Sequence, residues 1–164
     1  MSNLQLRRRL SDWLNGKRAK TLHFEAIENP PPELRDQVQR SLVSFNNQHL
    51  PSTLRLPVGV FVRDDADRLR GGACGYICWD WLETELLWVD DNLRADGLGS
   101  RLLAQLERMA LAKGVYRFKV LTASFQALDF YKKNGYEVYA TLEDCPPGHT
   151  EYSLRKIIDL SGSE

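Results

Sequence analysis

Apolar positions along the chain follow two spacings, and together they predict ten regular elements. Alternation of apolar and polar residues indicates strands, and apolar residues three or four positions apart indicate helices. The clearest helical stripe joins Leu98, Leu102, Leu103, Leu106, Met109 and Ala110, opposite Arg101, Gln105 and Arg108. Strands are predicted over 21–27, 56–63, 71–81, 84–90, 116–121, 136–141 and 150–157, and helices over 33–47, 98–113 and 124–133.

The order of these elements predicts an α/β fold with a mixed sheet. Read along the chain it is β-α-β-β-β-α-β-α-β-β, so strands come first and helices then alternate with strands. Such an order places helices on the faces of the sheet. A further short amphipathic helix is predicted over residues 3–15. We divide the chain into a basic segment, 1–20, a domain, 21–158, and a tail, 159–164.

Length and composition indicate one soluble domain. The chain has 164 residues, of which 43% are hydrophobic and 27% charged, which argues against disorder. No apolar run approaches the ~20 residues that span a bilayer, and the first 30 residues lack the apolar core of a secretory signal. The three cysteines are too few for a disulfide framework. We therefore expect a cytoplasmic protein with no membrane partner.

The formal net charge of zero conceals an uneven distribution. Residues 1–20 hold six basic residues and one acidic residue, a net charge of +5, and the remainder carries −5. A short basic segment gives salt-dependent, nonspecific binding to nucleic acid at most. No nucleic-acid recognition module is visible, so a specific nucleic-acid partner is not expected.

The segment from Val89 to Gly99, VDDNLRADGLG, has the properties of an anion site. A strand ends there and a helix begins, with two glycines that let a ligand approach the backbone. The first N–H groups of a helix are unpaired and carry partial positive charge. The P-loop pattern fails for want of a lysine, and the dinucleotide fingerprint for want of a third glycine. A strand-to-helix junction without a ligand remains the alternative.

Two motifs resemble one family. Val89, Arg94, Gly97 and Gly99 match V-x4-R-x2-G-x-G, the coenzyme A pyrophosphate motif of the GNAT superfamily of acyl-CoA-dependent N-acetyltransferases. About 30 residues on, FYKKNGYEV (130–138) is similar to the family's helix-to-strand segment. The resemblance implies a GNAT-like fold, acetyl-CoA as co-substrate, and direct transfer of an acetyl group to a primary amine.

The resemblance also implies which residues hold the co-substrate. The pantetheine arm is expected between two parallel strands that part, paired with backbone groups of 87–89. The pyrophosphate is expected on N–H groups of 94–99. Ser124 stands where the family often has an asparagine. The implied co-substrate residues are Leu87, Trp88, Val89, Arg94, Ala95, Asp96, Gly97, Leu98, Gly99, Ser100, Arg101 and Ser124.

For catalysis the resemblance implies Tyr131 as the acid that protonates the thiolate leaving group; the alternative is a core aromatic. An amine with a pKa of ~10.4 must lose a proton before it attacks. The resemblance implies a glutamate on the strand before the pyrophosphate turn as the base, with Glu85 and Glu83 as the candidates, and alternation puts both on one strand face with Leu87. An ordered water without a dedicated base, and a solvated strand edge, remain open.

Other residue types add little chemistry. His149 is interpreted as a surface or capping residue, with a catalytic role at the acceptor site, implied by the resemblance, as the alternative. Asp90 and Asp91 either cap the turn or attract a cationic acceptor. Three tryptophans, Trp79, Trp81 and Trp88, are expected in the core, with a cation-binding aromatic surface as the alternative. No spacing indicates a metal site.

The expected acceptor is a small cationic amine. The alternatives are a lysine or N-terminus of a protein, or a CoA-binding regulatory module without catalysis. The sequence is also compatible with a homodimer.

Overall fold

The computed structural model describes residues 22–50, 55–94 and 96–159, and contacts divide the chain into two units, 1–40 and 41–164. In the first unit, residues 22–27 form no strand, so the strand predicted over 21–27 is wrong for its described part. Alternation of apolar and polar residues gives a segment two different faces, but a strand forms only where a neighbouring strand pairs with it. The helix predicted over 3–15 lies outside the described residues. The predicted boundaries at 20 and 158 stay predictions.

Helix α1, Pro32–Asn46, confirms the helix predicted over 33–47. It begins at a proline, as many helices do, because the first helical residue needs no N–H donor. The backbone N–H of Leu34 donates to the carbonyl of Pro31 at 3.1 Å, which closes the first turn.

The second unit contains a six-stranded mixed sheet, which confirms the predicted α/β class. Its strands lie in the order β1-β2-β3-β4-β6-β5, and every neighbouring pair is antiparallel except β3 and β4. The strands are β1 Leu56–Arg63, β2 Leu69–Cys78, β3 Trp81–Val89, β4 Arg117–Ala123, β5 Glu137–Glu143 and β6 Thr150–Ile157; a 3₁₀ turn covers Asp91–Leu93, and the helices are α2 Leu98–Leu111 and α3 Leu128–Lys133.

Helix α2 covers one face of the sheet with the predicted apolar stripe. Leu102, Leu103, Leu106 and Ala110 are buried with sheet residues of the core. Met109, predicted in the stripe, is exposed instead, and Glu107 takes a buried position at 6% exposure. The stripe is therefore rotated slightly from the prediction, because a charged side chain with partners can occupy a core-facing position.

Three predicted ends of elements differ from the observed ones by three or more residues. The strand predicted over 71–81 is interrupted by a turn at Trp79, whose φ is 54°, so Trp81 belongs to β3. The helix predicted from Ser124 begins at Leu128. Ser124 stays with the sheet because its backbone N–H donates to the Thr150 carbonyl at 2.8 Å. Within the described residues, no helix is long and apolar enough to cross a membrane.

Candidate active site

A cleft opens where the two parallel strands part. Strands β3 and β4 pair from Trp81 and Arg117 as far as Thr84 and Val120. Beyond that row β3 continues to Val89 and β4 to Ala123 without pairing to each other, while β3 stays paired with β2. The backbone edge of β3 after Thr84 therefore faces an opening and has no strand partner on that side among the described residues.

A β-bulge lies at this parting point. Across β2 and β3, Cys74 pairs with Leu86 and Gly75 pairs with Thr84, so Glu85 is the extra residue on β3. A bulge inserts one residue, bends the strand and re-aims side chains. Glu85 is exposed, and no described cation lies within salt-bridge distance of its carboxylate.

The bulge also changes which residues share a face. A Cβ on Gly71 would lie 3.2 Å from Leu102 of α2, so the face of β2 that contains Gly71 is the helix-covered one. Val89 pairs with Gly71, and Leu87 with the fully buried Ala73. Leu87 therefore faces the helix, and the prediction that it shares a face with Glu83 is wrong. Alternation was broken by the inserted residue.

The two candidate bases have different surroundings. Glu83 Oε2 accepts a hydrogen bond from Tyr76 Oη at 2.6 Å and lies 2.6 Å from Lys119 Nζ. Partial burial opposes ionisation, but the bonds from Lys119 and Tyr76 outweigh it and lower the pKa of Glu83. Burial and the bond to Glu83 raise the pKa of Tyr76 to about 12. The carboxylate of Glu83 is thus held by Tyr76 and Lys119. Glu85, which has no such contacts among the described residues, is the remaining candidate base.

The predicted phosphate turn ends at Gly97, the N-cap of α2, which has a φ of 70°. Glycine adopts this left-handed conformation readily, and it offers no capping side chain to the first N–H groups of the helix. A Cβ at Gly97 would meet no described atom within 4 Å, so the backbone is open there. A Cβ at Gly99 would lie 3.2 Å from Phe130, so this second glycine admits α3 close to α2.

The charged residues of the turn are partly engaged with each other. Arg94 Nε donates to the carbonyl of Val89 at 3.2 Å, and its Nη2 lies 2.7 Å from Asp91. Asp90 accepts from the backbone N–H of Asn92 at 3.0 Å and so caps the turn, whereas the side chain of Asp91 is paired with Arg94. The first turn of α2 includes Leu98, the half-buried Ser100 and the exposed Arg101. Asp96, just before the helix, is exposed, and Ala95 lies outside the described residues.

Tyr131 is buried on α3 among other aromatic rings. Its centroid lies 5.1 Å from that of Phe130 and 5.6 Å from that of Tyr136, both edge-on. Burial raises the pKa of Tyr131. The phenol therefore stays protonated at neutral pH, which is the form that donates a proton.

A buried polar network holds the segment that follows Tyr131. Tyr136 Oη donates to Glu107 Oε1 at 3.0 Å, and Lys156 Nζ donates to Glu107 Oε2 at 2.7 Å. The backbone N–H of Tyr136 also donates to the Tyr131 carbonyl at 3.0 Å. Sequence reasoning missed this network. The sequence signal for it is that Glu107 follows the stripe residue Leu103 by four positions and therefore falls on the apolar side of the helix.

The end of β4 contains a second polar contact. Ser124 Oγ lies 3.3 Å from His149 Nδ1 and accepts from the N–H of Thr150 at 3.3 Å. The ring of Phe125 packs edge-on against His149 at 4.7 Å. These contacts hold the loop before β6 beside the open end of β4. Among the described residues, no group of His, Cys, Asp and Glu has the arrangement of a metal site.

The prediction that the tryptophans are core residues is wrong. Trp79 is 55% exposed in the β2–β3 turn and Trp88 is 47% exposed near the end of β3. Trp81 is half-buried. Trp88 pairs with Gly72 of β2, on the face opposite α2.

A mixed sheet with two parting parallel strands, a bulge at the parting point and a glycine-capped helix after it define the architecture of an acyl-CoA-dependent acyltransferase. The sequence profile of the acetyltransferase (GNAT) family matches residues 20–136. The chain belongs to this family, which confirms the resemblance drawn from the two motifs.

Two relatives agree with this membership, and a third, more distant protein shares the fold. Blasticidin-S acetyltransferase of Streptomyces morookaense is 45% identical over 89 residues, which are 54% of this chain and 65% of that enzyme. The chain thus spans just under two thirds of that relative. An acetyltransferase of Bacillus cereus has a crystal structure with a TM-score of 0.73, at 31% identity, covering 82% of this chain and 98% of that one. The PaiA N-acetyltransferase of Thermoplasma acidophilum, solved with coenzyme A, matches at a TM-score of 0.55 and 18% identity, covering 76% and 70%.

Proposed function

We propose that the protein transfers an acetyl group from acetyl-CoA to the primary amine of a small cationic molecule. The observation that carries the proposal is the coincidence of three features at one point: β3 and β4 part, the bulge occurs, and the unpaired carboxylate of Glu85 is presented. A bulge beside an opening between strands is a common way to aim a side chain into a site.

The co-substrate would lie along the cleft. Backbone groups of 87–89, which have no strand partner on that side, would pair with the amides of the pantetheine arm. The open N-terminus of α2 at Gly97 would meet the pyrophosphate with N–H groups and partial positive charge. Arg101 lies one turn further and would add a charge-assisted bond. Ser124, at the end of β4, would lie on the other side of the arm.

Two side chains would move protons. Glu85 would take a proton from the ammonium form of the acceptor, directly or through one water, leaving a lone pair on nitrogen. The nitrogen attacks the thioester carbonyl and a C–N bond forms; the nitrogen then releases its second proton to solvent and the C–S bond breaks. Tyr131 would donate its phenolic proton to the departing sulfur, and solvent restores both groups. Because burial raises the pKa of Tyr131, its proton stays available across neutral pH.

Two observations support a small cationic amine as the acceptor: the acidic charge of the chain and its similarity to one named enzyme. The chain outside its first 20 residues is acidic, and Glu85 has no described cation near it. The curated relative at 45% identity is named for acetylation of blasticidin-S, a small molecule. A protein lysine or N-terminus is the other acceptor that a primary-amine chemistry allows.

The test is acetyl transfer to a panel of small amines and of lysine and N-terminal peptides, with release of free thiol followed by a colorimetric reagent. We expect turnover on small amines. Tyr131→Phe should lower kcat about 100-fold while the Kd for CoA stays unchanged, and Tyr139→Phe, at an exposed tyrosine of β5, is the matched control. Turnover confined to peptides would replace the acceptor class, and CoA binding without turnover on any amine would refute the enzymatic proposal.

Glu85→Gln supplies the second arm of the test. We expect kcat/KM to fall most at low pH, where most of the acceptor is protonated and needs the base. Glu143→Gln, at an exposed residue that ends β5, controls for loss of one negative charge. An unchanged pH profile in Glu85→Gln would assign proton removal to water alone.

A further inference from the structure

One buried ionic group takes no part in the proton transfers proposed above. Glu107 lies on the core side of α2, with one carboxylate oxygen bonded to Tyr136 Oη and the other to Lys156 Nζ. A buried ion pair is weak evidence for stability, because apolar residues of similar volume often serve as well. Stability alone therefore does not account for this group, and the contacts of its partners indicate a role in positioning.

The partners of Glu107 enclose the turn that joins α3 to β5. Tyr136, directly before β5, is tied to Tyr131 by the hydrogen bond from its backbone N–H to the Tyr131 carbonyl at 3.0 Å and by the edge-on contact of the two rings. Lys156 passes the same turn, since a Cβ at Gly135 would lie 3.7 Å from Lys156 Cε. The carboxylate on α2 thus holds the residue that packs against Tyr131.

Helix α3, which contains Tyr131, is too short to fix its own orientation. It has six residues, and no side chain caps its N-terminus at Ala127. Helices shorter than ~12–15 residues have little stability of their own. The orientation of α3 is therefore set by tertiary contacts, among them Phe130 against Gly99 of α2 and Tyr131 against Tyr136. The second contact is made by the ring of the proposed acid itself.

The side chain of Tyr136 also reaches the row at which β3 and β4 part. Thr84, in the last row that pairs the two strands, is buried at 3% exposure. Burial and the neighbouring Glu107 raise the pKa of Tyr136, and the Thr84 hydroxyl acts on it in the opposite direction, so the two hydroxyls lie near each other. Thr84 Oγ1 makes no hydrogen bond of ordinary geometry with a described residue. One side chain, Tyr136, therefore joins Glu107, Tyr131 and the parting point.

We propose that Glu107, acting through Tyr136, is a positioning residue that holds the Tyr131 phenol at the thioester sulfur. The inference rests on the proposed acid role of Tyr131 and adds the residues that orient it. The hydrogen bond to Glu107 fixes where the Tyr136 ring lies, and that ring sets the place of the Tyr131 ring. A displaced phenol transfers its proton less well, whereas binding of the co-substrate along β3 and the start of α2 is unaffected.

The first test removes the hydrogen bond and keeps the ring. Tyr136→Phe should lower kcat about ten-fold, with the KM for acetyl-CoA and the Kd for CoA unchanged. Glu107→Gln keeps an oxygen that accepts from Tyr136 and should retain most of kcat, whereas Glu107→Leu should not. The matched control is Arg155→Met, which removes an exposed ion pair with Glu137 between β6 and β5 and should leave kcat unchanged.

A triple variant separates positioning from stability. Glu107→Leu, Tyr136→Phe and Lys156→Met together replace the network by apolar side chains and leave neither a buried charge nor a buried phenol unpaired, so Tm should stay near the wild-type value. We expect kcat to remain about ten-fold low in this variant. Wild-type values of both Tm and kcat would overturn the proposal.

A double-mutant cycle with Tyr131→Phe supplies a readout that a general structural role would not move. Adding Tyr136→Phe to Tyr131→Phe should lower kcat no further, because the phenol that is positioned is already gone. A further ten-fold fall, or a wild-type kcat in Tyr136→Phe alone, would overturn the positioning role and leave the acetyl transfer standing. A wild-type kcat in Tyr131→Phe would refute the acid role together with this inference, and absence of turnover with every amine of the panel would refute both proposals.

Discussion

Gly75→Ala is the sharpest perturbation of the bulge. A Cβ at Gly75 would lie 2.1 Å from the carbonyl oxygen of Glu83, 3.0 Å from its carbonyl carbon and 3.1 Å from the Cα of Thr84. All three are backbone atoms, so no side-chain rotation relieves the contact. The backbone of β3 must retreat by about 1 Å to restore ordinary van der Waals separation, and this displacement falls two residues before Glu85.

The expected cost has two parts. Overpacking of this kind lowers the free energy of unfolding by about 2 kcal/mol, which corresponds to a fall in Tm of roughly 4–8 °C for a chain of this size. A displacement of about 1 Å at a catalytic group lowers kcat by around 100-fold. Thermal unfolding by circular dichroism and steady-state kinetics at saturating acetyl-CoA measure the two effects separately.

Gly114→Ala is the matched control. Gly114 follows α2 with a φ of 76°, and a Cβ there would meet no described atom within 4 Å. The alanine should cost about 1 kcal/mol of backbone strain and leave kcat unchanged. If Gly75→Ala behaves like this control, with a modest fall in Tm and wild-type kcat, the bulge does not set the position of the base and the reasoning is refuted.

Three further perturbations probe other parts of the site. Tyr136→Phe removes a hydrogen bond to buried Glu107 and should lower the free energy of unfolding by about 1–2 kcal/mol in urea titrations; an unchanged midpoint would contradict the network. Lys119→Met should lower the free energy of unfolding at pH 7, and this loss should shrink as the pH falls through the lowered pKa of Glu83. The reason is that a carboxyl whose pKa is depressed by folding stabilises the protein above its unfolded pKa and loses that contribution on protonation. A difference in unfolding free energy between variant and wild type that stays constant from pH 7 to pH 3 would argue against this ion pair. Gly97→Ala should cost about 1 kcal/mol and raise the Kd for CoA by isothermal titration, and an unchanged Kd would remove the pyrophosphate from the N-terminus of α2.

Local patterns in the sequence determined most elements of the sheet and the helices. The apolar stripe of α2 and the alternation of β1 and β6 predicted helix and strand with correct type, and the bounds 56–63 and 150–157 are those observed. These properties are local, since they depend on which side chains of one segment fall on one side. The motifs at Val89–Gly99 and 130–138 were likewise readable, because a turn into a helix needs glycine at particular positions.

The tertiary structure decided the features that depend on pairing or contact between distant segments of the chain. Residues 22–27 alternate but form no strand, and nothing within the segment itself could reveal this. The extra residue at Glu85 exists only in the pairing of β3 with β2, so alternation placed Leu87 on the wrong face. Burial of Glu107 required the hydroxyl of Tyr136 and the ammonium of Lys156, which come from segments 29 and 49 residues away. Pairing register and the compensation of a buried charge are relations between distant segments, and the order of residues in one segment does not contain them.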